Sequence, residues 1–244
     1  MQVYTCQIAR GVANIACIFT RLLYLLCPFV AQRPNPLALD QVVYYVVTMS
    51  KNHDIPTREH LLLTGEQLSH HKGFTALGLN ELLQTAQVPK GSFYHYFRSK
   101  EAFGAAMLEN HYAGYYQTLH QHFTRGPGNC RDRLLDYFRQ ALVQFCDNGM
   151  ISGCLTVKLS AEVCDLSEDM RLQLKRGAEQ ITDLLACTLQ QGITEGSLHL
   201  KGDPAHLACS LYALWLGANL QAKITRQPYA LECALAQADQ ILTR

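Results

Sequence analysis

From Met49 onward, apolar residues return at three- and four-residue spacing in segment after segment, a period that only an α-helix with one buried face satisfies. Leu61, Leu62, Gly65 and Leu68 share a face behind Thr57, which reads as an N-cap, until Gly73 stops the run. The first helix is therefore expected over about Thr57 to Lys72. A second, short helix is predicted from Leu79 to about Thr85 on Leu79, Leu82 and Leu83. A turn over Ala86 to Pro89 then leads into a third starting near Lys90. Two short helices joined by a tight turn make a helix-turn-helix unit. A fourth helix opens at Ser99, a good N-cap, with Glu101 in its first turn, and runs to about Phe123. A fifth follows from about Asn129 to Asn148, closed by Gly149. The expected fold class is all-α.

Composition narrows the functional classes. Hydrophobic residues make up 48% and charged residues 17%, as in an ordinary globular protein, and the net charge of +1 supplies no bulk basic field. Affinity for nucleic acid would have to come from a few cations placed locally. The ten cysteines lack CxxC spacing, so they read as reduced thiols without a metal site, and none lies between Met49 and Asn129. His95 and His199 stand in no recognisable catalytic signature, so no catalytic residue, cofactor or enzymatic activity is expected.

The first 48 residues differ from the rest. Gly11 to Ala31 is largely apolar but interrupted by Arg21 and closed by Pro28, marginal for a membrane span and poor for a signal peptide. The expectation is that Met49 is the biological start, and that residues 1–48 are translated upstream sequence or a disordered extension. A cytoplasmic protein without a stable membrane partner follows.

The third helix carries readable chemistry. Lys90, Gly91, Ser92, Tyr94, His95 and Tyr96 give a small, polar first turn that lets the backbone approach a DNA groove, while Phe93 and Phe97, four apart, face inward. Lys90 and Lys100 are placed to hold phosphates, and Ser92 and His95 to face bases. The stretch GFTALGLNELLQTAQVPKGSFYHYFRSKEAF, from Gly73 to Phe103, resembles the DNA-binding signature of the TetR family of repressors, with Gly73, Phe74, Ala86, Val88, Gly91, Tyr94, Phe97 and Lys100 in the family's order. The resemblance implies a TetR-like fold: a helix-turn-helix DNA-binding domain over residues 49–103 and a helical sensor and dimerisation domain over 104–244. It implies operator double-stranded DNA and a second copy of the chain as partners, with Tyr94 matching the family's phosphate-touching tyrosine. Gly78, Gln87 and Pro89 depart from the family pattern at the two short-helix starts and the turn between them.

Two further helices are expected near the end. Asp203 caps one that begins at Pro204 and carries Leu207, Leu211, Leu214, Trp215 and Ala218. Pro228 restarts another with Leu231, Leu235 and Ile241. Their apolar faces serve either the dimer, as the resemblance implies, or the core of one protomer. Cys154 stands at the start of a helix, where the positive end of the dipole favours a thiolate, whereas Cys146, Cys187 and Cys209 read as buried small hydrophobes. The runs ISGCLTVKLSAEVCDLSEDMR and LYALWLGANLQAKI further resemble a TetR-type repressor of electrophile-detoxifying genes. That likeness makes Cys154 a redox-sensing position, with Lys223 near it and reactive electrophiles or hypochlorous acid as inducers. On its residues alone Lys223 is equally a solvated lysine at a helix C-terminus. The alternative function is a repressor induced by an intact apolar ligand.

Overall fold

The computed structural model describes residues 55–148 and 154–243, apart from the side chains of Asn148 and Cys154. Among the described residues lie nine α-helices and no strand: α1 (Thr57–Lys72), α2 (Leu79–Ala86), α3 (Lys90–Tyr96), α4 (Lys100–Arg125), α5 (Cys130–Asn148), α6 (Cys154–Val163), α7 (Glu168–Thr194), α8 (Pro204–Thr225) and α9 (Tyr229–Leu242). The leader expected over residues 1–48 and the helix stop expected at Gly149 lie outside the described residues. No helix among the described residues is long and apolar enough to cross a membrane.

The head is α1 to α3, closed by the start of α4. Phe93 of α3, Phe97 at its C-cap and Phe103 of α4 bury completely or nearly so, with ring centroids 5.1–5.5 Å apart, so the inward face of the short α3 is held by aromatic packing. The N-cap of α1 is Pro56 rather than Thr57. Pro56 keeps an extended ψ of 139° while its carbonyl accepts from His60 N at 3.0 Å, and Thr57 is already helical. Pro89 is likewise the extended N-cap of α3, whose first helical residue is Lys90. Ser99 behaves as expected, its hydroxyl accepting from Ala102 N at 3.1 Å.

Helix α4 is 26 residues long, about 39 Å, and passes from the head into the body. Phe103 and Met107 lie over Gly65 of α1. One turn beyond Leu108, the Tyr112 ring sits on Gly177 of α7, where a Cβ would fall 2.3 Å from a ring carbon. That glycine lets α4 and α7 approach more closely than side chains allow, and the Tyr112 hydroxyl reaches Thr156 of α6 at 2.9 Å. In the body α7 packs against α4, α5, α6 and α8, while α9 closes the far side against α5 and α8. The capping expected at Asp203 is present, its carboxylate accepting from Ala205 N and His206 N.

One charged cluster ties α1 to α4. Glu66 accepts from the largely buried His111 at 2.8 Å and lies 3.9 Å from His70. Burial alone would raise the Glu66 carboxyl, but the hydrogen bonds and charges of His111 and His70 outweigh it and bring the group down to about 2. A carboxyl depressed in the folded state adds stability above its unfolded value of 4.5, and loses it as the pH falls toward about 2. The contribution is on the order of 3 kcal/mol at most. Glu66→Gln is therefore expected to lower the urea midpoint at pH 7, with the gap to the unaltered chain closing toward pH 3. An equal gap at both pH values would contradict the assignment.

Candidate nucleic-acid interface and sensor site

Helix α3 exposes what its sequence offers. Lys90, Gly91, Tyr94, His95 and Tyr96 are exposed and Ser92 half-buried, while Phe93 and Phe97 turn inward. Tyr94 and Tyr96 leave half and two-fifths of their surface to solvent, side by side with the exposed His95. A Cβ on Gly91 would meet nothing within 4 Å, so that bare position serves no contact inside the protein and leaves room for another molecule's backbone. The Lys90 ammonium sits 5.9 Å over the Tyr94 ring, which keeps this cation beside the exposed aromatic.

Lys100 has a duty within the fold as well. Its Nζ donates to the Thr75 carbonyl at 3.1 Å and lies 4.9 Å from the Phe74 ring, fixing the loop between α1 and α2. The structure adds two cations that sequence reasoning passed over. Arg58 of α1 lies exposed with its guanidinium 5.6 Å from the Phe97 ring, and Arg98 is exposed at the α3–α4 turn. A chain of net charge +1 thus gathers Arg58, Lys90, Arg98 and Lys100 around one short helix. Arg98 follows a readable motif, but Arg58 is brought in only by the packing of α1 on α3.

Cys154 is the first residue of α6 among the described residues, and the N-terminal end of a helix favours an anion. Lys223 is exposed in the last turn of α8, a helix that packs against α6. The burial expected of Cys146, Cys187 and Cys209 fails, all three being exposed; Cys233 is exposed as well, whereas Cys130 is buried and Cys164 half-buried. Cys209 directly follows the buried Ala208 and Cys187 lies two positions after the buried Leu185, and a step of one or two residues turns a helical side chain well away from its neighbour's face. Burial and the neighbouring Glu195 push the Cys130 thiol up to about 11, so it stays protonated at neutral pH.

The two final helices divide their apolar residues in a way that periodicity leaves open. Leu211, Trp215 and Ala218 lie in the protomer's own core. The outward side of the pair is a shallow groove lined by Ala213, Leu214, Gly217, Gln221, Cys233 and Gln237, with Leu220, Ile224 and Tyr229 exposed nearby. A charge at Leu211 would thus unfold the protomer rather than separate two copies.

A helix-turn-helix head with a bare, cationic third helix, joined by one long helix to a helical body, defines a one-component transcription regulator. Residues 61–107 match the family model of the bacterial regulatory proteins, tetR family, and residues 130–238 match that of the tetracyclin repressor-like, C-terminal domain. Over 194 residues the chain is 60% identical to the HTH-type transcriptional repressor NemR of Escherichia coli (strain K12), covering 80% of this chain and 98% of that relative. It is 33% identical over 177 residues to the HTH-type transcriptional repressor DhaR of Mycobacterium sp. (strain GP1), covering 72% and 87%. Among solved structures, the reduced form of Escherichia coli NemR aligns with a TM-score of 0.73 at 58% identity, covering 77% of this chain and 98% of that one. The chain belongs to the TetR family, whose members are DNA-binding regulators and not enzymes.

The turn between α2 and α3 retains a measurable irregularity. Gln87 occupies the left-handed region at φ 54°, ψ 37°, where the family pattern has glycine. A side chain there costs about 1 kcal/mol that glycine avoids. Gln87→Gly is therefore expected to raise the thermal midpoint by a few degrees, read by circular dichroism; an unchanged or lower midpoint would contradict this.

Proposed function

We propose that this chain is a cytoplasmic transcriptional repressor of detoxification genes. It acts as a homodimer, holds operator double-stranded DNA and lets go when Cys154 is modified by a reactive electrophile or by hypochlorous acid. The observation that carries the reading is α3, whose apolar side is locked into the head while Lys90, Gly91, Tyr94, His95 and Tyr96 are exposed and Ser92 stays partly accessible. The 60% identity to a named repressor supports it. Residues 49–103 form the reading domain and 104–244 the sensor and dimerisation domain, and neither membrane nor cofactor takes part. Lys90, Tyr94 and Lys100 hold phosphates, and Ser92, His95 and Tyr96 lie over the base edges of the major groove. The outward groove of α8 and α9 takes the second copy, since one short helix covers too little duplex for specific binding.

At Cys154 the helix start favours the thiolate, and an electrophile such as N-ethylmaleimide adds to it through a new S–C bond while the ring carbon takes a proton. Hypochlorous acid instead oxidises the thiolate to a sulfenic acid with loss of chloride. The Lys223 amine can then displace water to form an S–N bond that thiols reverse. Either product changes charge and size at the start of α6. A second reading, an intact ligand bound inside the body, draws on Trp215 Nε1 and Asn219 Oδ1, which are buried without a partner among the described residues.

Operator binding tests both arms, using a duplex that the unaltered protein selects from a random pool. Lys90→Ala should weaken binding and make the slope of log affinity against log salt shallower by about one, at an unchanged urea midpoint. N-ethylmaleimide and hypochlorous acid should release the unaltered protein and leave Cys154→Ser bound. Release of the serine variant by both agents would sink the thiol mechanism, and released protein of unmodified mass would favour the intact-ligand reading.

A further inference from the structure

Helix α6 reaches the reading head directly. Its Glu162 accepts from Phe74 N at 3.1 Å and from Thr75 N, two successive amides of the loop between α1 and α2. One turn earlier, Lys158 Nζ donates to the His70 carbonyl in the last turn of α1 at 2.8 Å. The loop is shaped to receive the carboxylate. Gly73 leaves α1 at φ +87°, and a Cβ there would stand 2.7 Å from Glu162 Oε2, so both the exit angle and the approach require glycine. Burial would raise the Glu162 carboxyl, but the Thr75 hydroxyl, the Thr75 and Phe74 amides and the Lys158 ammonium outweigh it and hold the group below the usual carboxylate range. The next peptide is held as well, since the Thr75 carbonyl accepts from Lys100 of α4.

Three charge-assisted bonds to three backbone positions fix an orientation as well as a distance. We propose that Glu162 and Lys158 are positioning residues for operator recognition: they fasten the α1–α2 loop to α6, so that α6 sets the angle of the reading head and hence the half-site spacing the dimer accepts. This rests on the homodimer reading above. It also gives the sensor a route to the head besides α4, because Cys154 begins the same helix eight residues, about 12 Å, before Glu162.

The test measures affinity for operator duplexes whose half-sites are moved by one or two base pairs, and for a single half-site, using the full chain. The unaltered protein should prefer its own spacing by about tenfold or more, and Glu162→Ala should reduce that preference to about threefold or less, with single half-site affinity unchanged. Glu162→Gln, which keeps one acceptor but turns an NH2 group toward the second amide, should fall between, and Lys158→Met should also relax the preference. A merely stabilising role would lower all affinities by one factor. In amide exchange, Glu162→Ala should speed Phe74 and Thr75 by about tenfold or more while α7 keeps its protection. Retained spacing preference, or unchanged protection at Phe74 and Thr75 in both Glu162 variants, overturns the proposal. If the unaltered protein shows no spacing preference, the dimer reading fails instead and the exchange result alone decides whether the fastening stands.

Discussion

The side of α4 that carries Phe103 and Met107 closes over Gly65 of α1, and further along the same helix Tyr112 presses on Gly177 of α7. Two neighbouring bodies of helices thus share one element, and neither can fill its core without it. The need is plain for the head, because α1, α2 and α3 are too short to bury enough apolar surface by themselves. Phe93, Phe97 and Phe74 become a core only when Phe103 and Met107 arrive from α4. Burying an aromatic or methionine side chain is worth about 1.5–3 kcal/mol, so the few supplied by α4 amount to a large part of what a domain this small needs.

That dependence explains how a chain of almost neutral charge can present a reading surface. The inward residues of α3 are fixed by their neighbours, so Lys90, Gly91, Tyr94, His95 and Tyr96 are left to serve solvent or a duplex. The cations near it come from four different places in the sequence, on α1, on α3, at the α3–α4 turn and at the start of α4. The loop between α1 and α2 is held from two sides, by Lys100 of α4 and by Glu162 of α6, so the pose of the head relative to the body is specified by hydrogen bonds as well as by apolar packing. A change at the beginning of α6 therefore has a short mechanical path to the helix-turn-helix.

Much of this was legible in the residues. Leu79, Leu82 and Leu83 with the turn at Ala86 to Pro89 placed α2 and α3 to within a residue, and the Ser99 and Asp203–Pro204 signals located two later helix starts, because caps are local chemistry. The outward set on α3 followed from the four-residue spacing of Phe93 and Phe97. Reading failed where local patterns carry no direction. Thr57 looked like a cap, yet Pro56 holds the extended conformation one residue earlier. Helix α8 is apolar on nearly every side, so periodicity could not divide Leu211, inside, from Leu214, at the outer groove, or show that Cys209 is exposed. Glu66 and His70 are a readable pair on one helix, but His111 joins them from 45 residues away, and Glu162 meets backbone amides 87 and 88 residues earlier that no side-chain pattern announces.

The central claim is that head and body share one core through α4 and therefore unfold together. The single tryptophan, Trp215, is buried in the body and stacks on Tyr137 at 5.4 Å, so its fluorescence reports the body alone, whereas far-ultraviolet circular dichroism reports helices throughout. Equilibrium urea unfolding followed by both signals at one protein concentration is the most direct measurement. The account predicts coincident transitions with a common midpoint and slope. Loss of helical signal in a separate step at lower urea, before Trp215 responds, would show a head that melts on its own and would contradict it.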